Sequence, residues 1–226
     1  MTASSHALGS SRLQAPTRVM PALDGVTVRP ARMPDASAIL GLHREAFADK
    51  FGGAFGVDAT ERGVAALAAT WEHQGAVAMR GMFVAEYQGQ IVGTTTIRTW
   101  EMISDQSASI EVVFHEELGF WRTIRSLFVL SLLDHQIGRR EGFITDVAVL
   151  PTYRRSGIAQ MLLARAEQEA LLRGKHHLGL YVSQRNEAAR ALYQRLGFYQ
   201  HRLRRSLLTW FFFGQGHWLY LRKNLV

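Results

Sequence analysis

From residue 26 onward, the apolar and polar positions fall into runs that predict strands alternating with helices. Phe143, Ile144, Thr145, Val147 and Val149 form an apolar, β-branched run that reads as a buried strand. Pro151 ends it by withholding a backbone donor. After the turn 152–157, Ala159, Leu162, Leu163, Ala166 and Ala170 recur at helical period. Glu169 and Arg173 form a favourable i, i+4 pair in that helix, and Gly174 supplies its stop. Upstream, residues 26–30 predict a first strand, Asp35 leads into a helix through about Ala48, and residues 59–73 predict a second helix. Residues 82–87 and 91–100 predict a hairpin around Gln88-Gly89-Gln90, with Gly93 at a bulge.

Downstream, residues 178–183 predict a strand, and Asn186 is placed to cap the next helix. Ala189, Leu192, Tyr193 and Leu196 share one face of that helix, and Gly197 closes it. From Tyr199 the pattern predicts two strands around Gly214-Gln215-Gly216. The aromatic run Trp210-Phe211-Phe212-Phe213 reads as core or as a dimer contact, which keeps a homodimer open. Residues 101–140 add a polar stretch, 104–109, and a predicted helix over 116–137 in which Phe120, Ile124, Leu127, Phe128 and Leu132 keep helical spacing.

Composition narrows the classes. The chain of 226 residues is 47% apolar, enough for a core, and it lacks cysteine, which removes disulfides, thiolate metal sites and a thiol nucleophile. That is compatible with a reducing cytoplasm, the expected location. Residues 1–24 hold no sustained apolar run of the kind a secretory signal needs and read as a disordered tail ahead of one domain, 25–226. The apolar run 126–133 is too short to span a bilayer, so no membrane partner is expected. The net charge of +7 calls for an anionic partner. Arg154, Arg155, Ser156 and Gly157 stand where a strand turns into a helix N-terminus. Free N–H groups, the positive end of the helix dipole and two arginines there make an anion site suited to phosphate.

Arg154-Arg155-Ser156-Gly157-Ile158-Ala159 fits the pattern Q/R-x-x-G-x-G/A, directly after the strand carrying Val147-Ala148-Val149. Downstream, Asn186, Ala189, Leu192, Tyr193, Gly197 and Phe198 fit N-x-x-A-x-x-L-Y-x-x-x-G-F. In this order and on these predicted elements, the two motifs resemble those of the GCN5-related N-acetyltransferase (GNAT) superfamily. The likeness extends over about 26–225 and is sharp over 143–198. It implies an α/β fold of the acyl-CoA N-acyltransferase type, a mixed, mostly antiparallel sheet flanked by helices. It also implies acetyl-CoA as co-substrate, a primary amine (small molecule or peptide) as acceptor, and no metal.

The resemblance assigns the pyrophosphate to the turn and helix start from Arg154, Arg155, Ser156, Gly157, Ile158 and Ala159 to Gln160. Polarisation of the acetyl carbonyl falls to backbone N–H groups of Val147, Ala148 and Val149, and the pantetheine arm to Asn186, which also serves as a helix cap. Tyr193 is the expected general acid; with an ordinary pKa of ~10, above a thiol's ~8.5, it stays protonated until needed. The alternative for Tyr193 is a core tyrosine. Some N-terminal acetyltransferases of the superfamily carry a Glu base where this chain has Tyr181, so Asp146 becomes the candidate base; a structural hydrogen bond is its equal alternative. Residues 101–140 read as packing on the sheet or as a lid. Their Glu101, Asp105, Glu111, Glu116 and Glu117 would suit a cationic amine.

Other chemistries fail on specifics. His115-Glu116-Glu117-Leu118-Gly119 lacks the second His of a zinc-protease motif, no G-x-S-x-G or Walker A pattern occurs, and residues 51–56 do not fit a dinucleotide fingerprint. The basic run 201–205 leaves an RNA- or ribosome-bound protein as an alternative, but a solvated strand face explains it more cheaply. A CoA-binding sensor without turnover is the other.

Overall fold

The computed structural model describes residues 23–47, 60–103 and 135–225. Strands are β1 (Thr27–Pro30), β2 (Met82–Tyr87), β3 (Gln90–Thr99), β4 (Glu141–Val149), β5 (His177–Ser183), β6 (Tyr199–Arg205) and β7 (His217–Asn224). Helices are α1 (Ala36–Ala46), α2 (Thr60–Gln74), α3 (Trp100–Ile103), α4 (Ile158–Leu172), α5 (Glu187–Arg195) and α6 (Leu207–Phe213). The strands form one sheet in the order β1-β2-β3-β4-β5-β7-β6. Only β4 and β5 run parallel; every other neighbour is antiparallel. The mixed, mostly antiparallel sheet with flanking helices is the expected fold class. Among the described residues no helix is long and apolar enough to cross a membrane.

The strand pattern of period two puts Phe83 and Ala85 on one face of the sheet and Val84 on the other. The first face meets α4, whose Ile158, Leu162, Leu163, Ala166 and Ala170 are all buried. At Gly93 an added Cβ would lie 3.1 Å from both Ile158 and Leu162, which explains the glycine. The register shift in the hairpin falls beside it: Ala85 pairs with Gly93 and Glu86 with Ile91, so Val92 is the extra residue rather than Gly93. The opposite face carries α1 through Ile39, together with Met79, Met82 and Val84. Arg29 of β1 fastens this side, with two bonds to Asp35 (2.7 and 3.0 Å) and one to Glu86 (2.8 Å).

Three expectations change. Residues 207–213 form α6 rather than strand, because Ser206 Oγ accepts the Thr209 N–H at 3.2 Å and Gly214 supplies the left-handed stop. Trp210 and Phe211 are therefore exposed on a short helix instead of core. Residues 135–137, the end of the predicted helix 116–137, are irregular, and 116–134 lie outside the described residues. Leu23, assigned to the tail, packs against the main core and donates its N–H to Ser156 O at 3.0 Å.

Two buried polar groups close the base of the 101–140 segment. Lys175 Nζ donates to Glu101 at 2.6 and 2.8 Å and to Arg139 O at 3.0 Å, tying the two ends of that segment to the turn after α4. The Lys175 hydrogen bond is the main reason the Glu101 carboxyl falls to about 2, and it occupies the group the sequence offered to a cationic substrate. Asp105, Glu111, Glu116 and Glu117 lie outside the described residues. Glu141 is the second buried group: Tyr220 Oη donates to it at 2.5 Å, Gly138 N–H at 3.1 Å, and His135 Nε2 lies at 2.9 and 3.1 Å. Burial alone would push the Glu141 carboxyl up, but these bonds outweigh it and hold it below the ordinary range.

Gly179 makes room for that knot, since a Cβ there would overlap Tyr220 Oη and Glu141 Oε1. Gly179→Ala should cost about 1–3 kcal/mol. Gly41→Ala, on α1 with nothing within 4 Å, should instead stabilise by about 0.5–1 kcal/mol. Urea titrations of the two variants should move in opposite directions.

Candidate active site

The site begins where the sheet parts. β4 and β5 pair only from Glu141↔His177 to Ile144↔Leu180. At the next residue β4 bulges: Thr96 pairs with Asp146 and Ile97 with Ile144, so Thr145 is extra. Beyond it the strands diverge around a cleft of about 730 Å³. Residues 144–149 form one wall, 180–183 the other, and Asn186, Ala189 and Tyr193 of α5 close it.

The parting leaves backbone groups of β4 without a strand partner. Leu150 donates its N–H to Val92 O at 2.9 Å, toward β3. Strand alternation then turns the Ala148 N–H toward β3 and those of Val147 and Val149 into the cleft. Arg154 Nε reaches back to Val149 O at 3.2 Å, which places its guanidinium on the same wall.

The turn after β4 adopts an unusual backbone. Pro151–Tyr153 makes one 3-10 turn, then Arg155 (φ 65°) and Gly157 (φ 81°) both take left-handed conformations. Gly157 is the N-cap of α4 and has no side chain to cap with; Met161 N–H already bonds Gly157 O at 3.1 Å. The N–H groups of Ile158, Ala159 and Gln160 therefore have no partner within the helix and open outward, beside two exposed arginines. Ser156 contributes through its backbone only, because its hydroxyl bonds Tyr153 O. Ile158 likewise offers only its N–H, its side chain being 1% exposed.

Asp146 and Tyr193 line the same cleft. Thr145 Oγ1 donates to Asp146 Oδ2 at 2.9 Å, while Asp146 Oδ1 faces His43 Nε2 of α1 at 3.7 Å. Oδ1 is buried and accepts no hydrogen bond among the described residues. Tyr193 is 8% exposed; burial, and then the Asp146 charge, push its phenol up to about 12. Its ring meets Phe198 at 5.8 Å, and Phe198 N–H closes α5 on Tyr193 O at 3.0 Å. Asn186 caps the same helix, its Oδ1 accepting the Ala189 N–H at 3.1 Å. Tyr193 is thus fixed in place by both ends of a nine-residue helix.

Of the residues expected from sequence, Val147, Ala148, Val149, Asp146, Arg154, Asn186 and Tyr193 line one cleft. Arg155, Ser156, Gly157, Ile158, Ala159 and Gln160 form the turn and helix start adjoining it. Sequence reasoning missed Arg185, Trp218, Glu45 and His43. The first three line the cleft from distant elements, and His43 stands behind Asp146. A histidine one turn after Ile39 on an apolar helix face was the available signal for the last.

A model of the acetyltransferase (GNAT) family matches residues 44–198. No curated protein sequence matches the chain. Among solved structures, an acetyltransferase shares 19% identity and a TM-score of 0.61, with 88% of this chain and 100% of that one aligned. The PaiA N-acetyltransferase of Thermoplasma acidophilum, solved with coenzyme A, shares 13% identity and a TM-score of 0.55 over 88% and 98% of the two chains. The yncA protein of Salmonella typhimurium, solved with acetyl-CoA, shares 17% identity and a TM-score of 0.55 over 90% and 95%.

Because the Asn186 side chain carries the first turn of α5, Asn186→Ala should lower stability by about 1 kcal/mol. Asn186→Asp keeps the acceptor and should stay near wild type in the same denaturant series.

Proposed function

The chain belongs to the acetyltransferase (GNAT) family and is an acyltransferase; from that premise we propose that it transfers the acetyl group of acetyl-CoA to a primary amine, by direct attack with both substrates bound. The observation that carries the reading is the single cleft between β4 and β5. Beside a turn with unpaired N–H donors, it joins two inward-facing N–H groups, a carboxylate and a protonated phenol.

The fit to acetyl-CoA rests on the unpaired donors. The left-handed pair Arg155 and Gly157 and the uncapped start of α4 present N–H groups that a pyrophosphate would satisfy, with Arg154 and Arg155 adding charge. When bound, acetyl-CoA supplies an activated thioester. Val147 and Val149 N–H groups are oriented for the acetyl oxygen, where they would stabilise the charge that develops on attack. Asn186, which lines the cleft, would lie beside the pantetheine arm.

Asp146 is assigned to receive the amine's proton. The demand on it depends on the acceptor: a lysine-like amine (pKa ~10.4) costs about 4.6 kcal/mol to deprotonate at pH 7, an α-amine near 8 only about 1.4. Tyr193 stays protonated across the working range. With its phenol pushed up to about 12, above a free thiol's ~8.5, complete proton transfer to the departing sulfur is disfavoured. Its role is therefore to donate a hydrogen bond that holds the thiolate as it leaves. The acceptor class is best read by following thiol release across small amines, polyamines, amino acids and N-terminal peptides.

Three variants test the roles. Gly157→Asp puts a side chain and a negative charge into the turn; acetyl-CoA binding by calorimetry should vanish while circular dichroism stays native, and unchanged affinity in a folded variant would sink the assignment.

Tyr193→Phe should lower kcat about a hundredfold with cofactor affinity little changed. Since the phenol titrates near 12, no alkaline loss of wild-type activity below about pH 11 should trace to it. In Asp146→Asn the acidic limb of the pH–rate profile should disappear; a limb that persists unshifted would remove Asp146 as the base.

A further inference from the structure

The outer side of α6 is apolar to a degree that the fold does not explain. Leu207 is 85% exposed, Phe211 74%, Trp210 58% and Leu208 48%. They are not loosely placed. Thr209, on the inward side, is 1% exposed; its hydroxyl donates to Ser206 O at 3.1 Å and accepts from Trp218 Nε1 at 3.3 Å. Gly216 lets the backbone pass close beneath Trp210, with its Cβ position 3.0 Å from that residue's Cβ. The helix is pinned through Thr209, while Leu207, Leu208 and Trp210 stay largely exposed.

A basic strand leads into this helix. Arg202 and Arg205 of β6 are exposed and Arg204 is half-buried, over the Tyr181 ring at 5.9 Å. The charge in this part of the sequence is one-sided. No Asp or Glu follows Glu187, whereas Arg190, Arg195, Arg202, Arg204, Arg205, Arg222 and Lys223 do. These seven leave 19 basic and 19 acidic residues in the first 187, so the whole net charge of +7 belongs to the last 39 residues. Among those seven, Lys223 is answered by an acid from elsewhere, Glu167 at 2.6 Å.

We propose that α6 and the adjoining edge strand β6, whose Arg202 and Arg204 lie on one side and Arg205 on the other, dock edge-on against an anionic phospholipid bilayer. The two parts supply the two signals that reversible surface attachment needs: an apolar wedge with an interfacial Trp, and a basic patch for the headgroups. A second copy of the chain fits less well. A two-fold contact would bring two copies of the basic patch into one interface, with no acidic side chain of the last 39 residues to answer them. Single-stranded nucleic acid is read by stacking on aromatic platforms, whereas two of the four projecting residues are leucines. Docking by this face requires no spanning segment. It would also set the catalytic cleft beside the headgroup layer, since Gln215 and Trp218, just after α6, line that cleft and Arg185 Nη1 bonds Gly214 O at 3.4 Å.

The test is co-sedimentation of the full chain with vesicles of phosphatidylcholine, with and without phosphatidylglycerol. Binding should require the anionic lipid and fall as salt rises. Leu207→Ser with Phe211→Ser should weaken it at least about tenfold while circular dichroism and the melting temperature hold. Arg202→Gln with Arg205→Gln should weaken it roughly fivefold per arginine and flatten the salt dependence. The proposal is overturned if the wild type stays in the supernatant with anionic vesicles, or if the Leu207/Phe211 variant binds them as tightly as wild type. It is equally overturned if sedimentation velocity shows a dimer that this variant dissolves, or if the patch binds single-stranded RNA more tightly than the vesicles.

Discussion

Everything at the candidate site follows from a parallel strand pair that stops after four residues. β4 and β5 hold each other from Glu141 to Ile144 and then diverge, so one continuous sheet acquires a wedge-shaped opening in its middle. Open strand edges inside a sheet leave backbone donors and acceptors unpaired, a cost that must be offset by water or a ligand. Two features enforce the divergence. The extra residue Thr145 bends β4 away at the first unpaired position, and the Pro151 turn carries the chain off into α4. The paired end is correspondingly reinforced. The Glu141 carboxylate binds Tyr220 of β7, His135 and Gly138, spanning the joint between the two halves of the sheet.

The turn at the far end of β4 holds strain that packing does not require. Arg155 in the left-handed region costs about 1–2 kcal/mol relative to an ordinary conformation, and Gly157 occupies the same region without that cost. Together they rotate successive N–H groups to one side, the arrangement that makes an anion cradle. Ser156 is consumed in holding the turn, through its hydroxyl to Tyr153 O and its carbonyl to Leu23 N–H. On the proposed reading, the motif's serine builds the turn and the donors to the anion are main chain.

How much of this was legible follows the range of each interaction. The strand, turn and helix over 143–173 and the capped helix over 186–197 carry local signals: periodicity, a proline stop, an Asn cap and two glycine closures. Their site residues came out together for that reason. The helix α6 was misread because Leu-Leu-Thr-Trp-Phe-Phe-Phe favours strand by propensity, and the caps Ser206 and Gly214 override it. The Glu141 knot and the His43–Asp146 approach had no local signal. Glu141 and Tyr220 are 79 residues apart in sequence, and only the sheet order makes them neighbours. Glu101 failed in the opposite sense: its charge looked available in sequence, and a buried lysine 74 residues away had already claimed it.

On the proposed chemistry, the Tyr193 phenol and the Asp146 carboxylate are one coupled unit. The Asp146 charge is among the causes that hold the Tyr193 phenol near 12, second to burial. When Asp146 takes the proton of the attacking amine, that charge is cancelled and its share of the upward push disappears. Tyr193 becomes a stronger donor at the stage when the sulfur begins to leave, with no movement of either side chain. The reverse also holds: while Asp146 is ionised and the amine has not attacked, the phenol grips its proton most firmly, which disfavours early release of the thiolate. His43, 3.7 Å behind Asp146 Oδ1, belongs to this unit as a positioning residue. At that distance any charge it carries acts on the Asp146 carboxylate. The order of the proton movements is thereby written into the field of one half-buried carboxylate. The placement of Asp146, one residue past the Thr145 bulge, is set by the same break in β4 that opens the cleft.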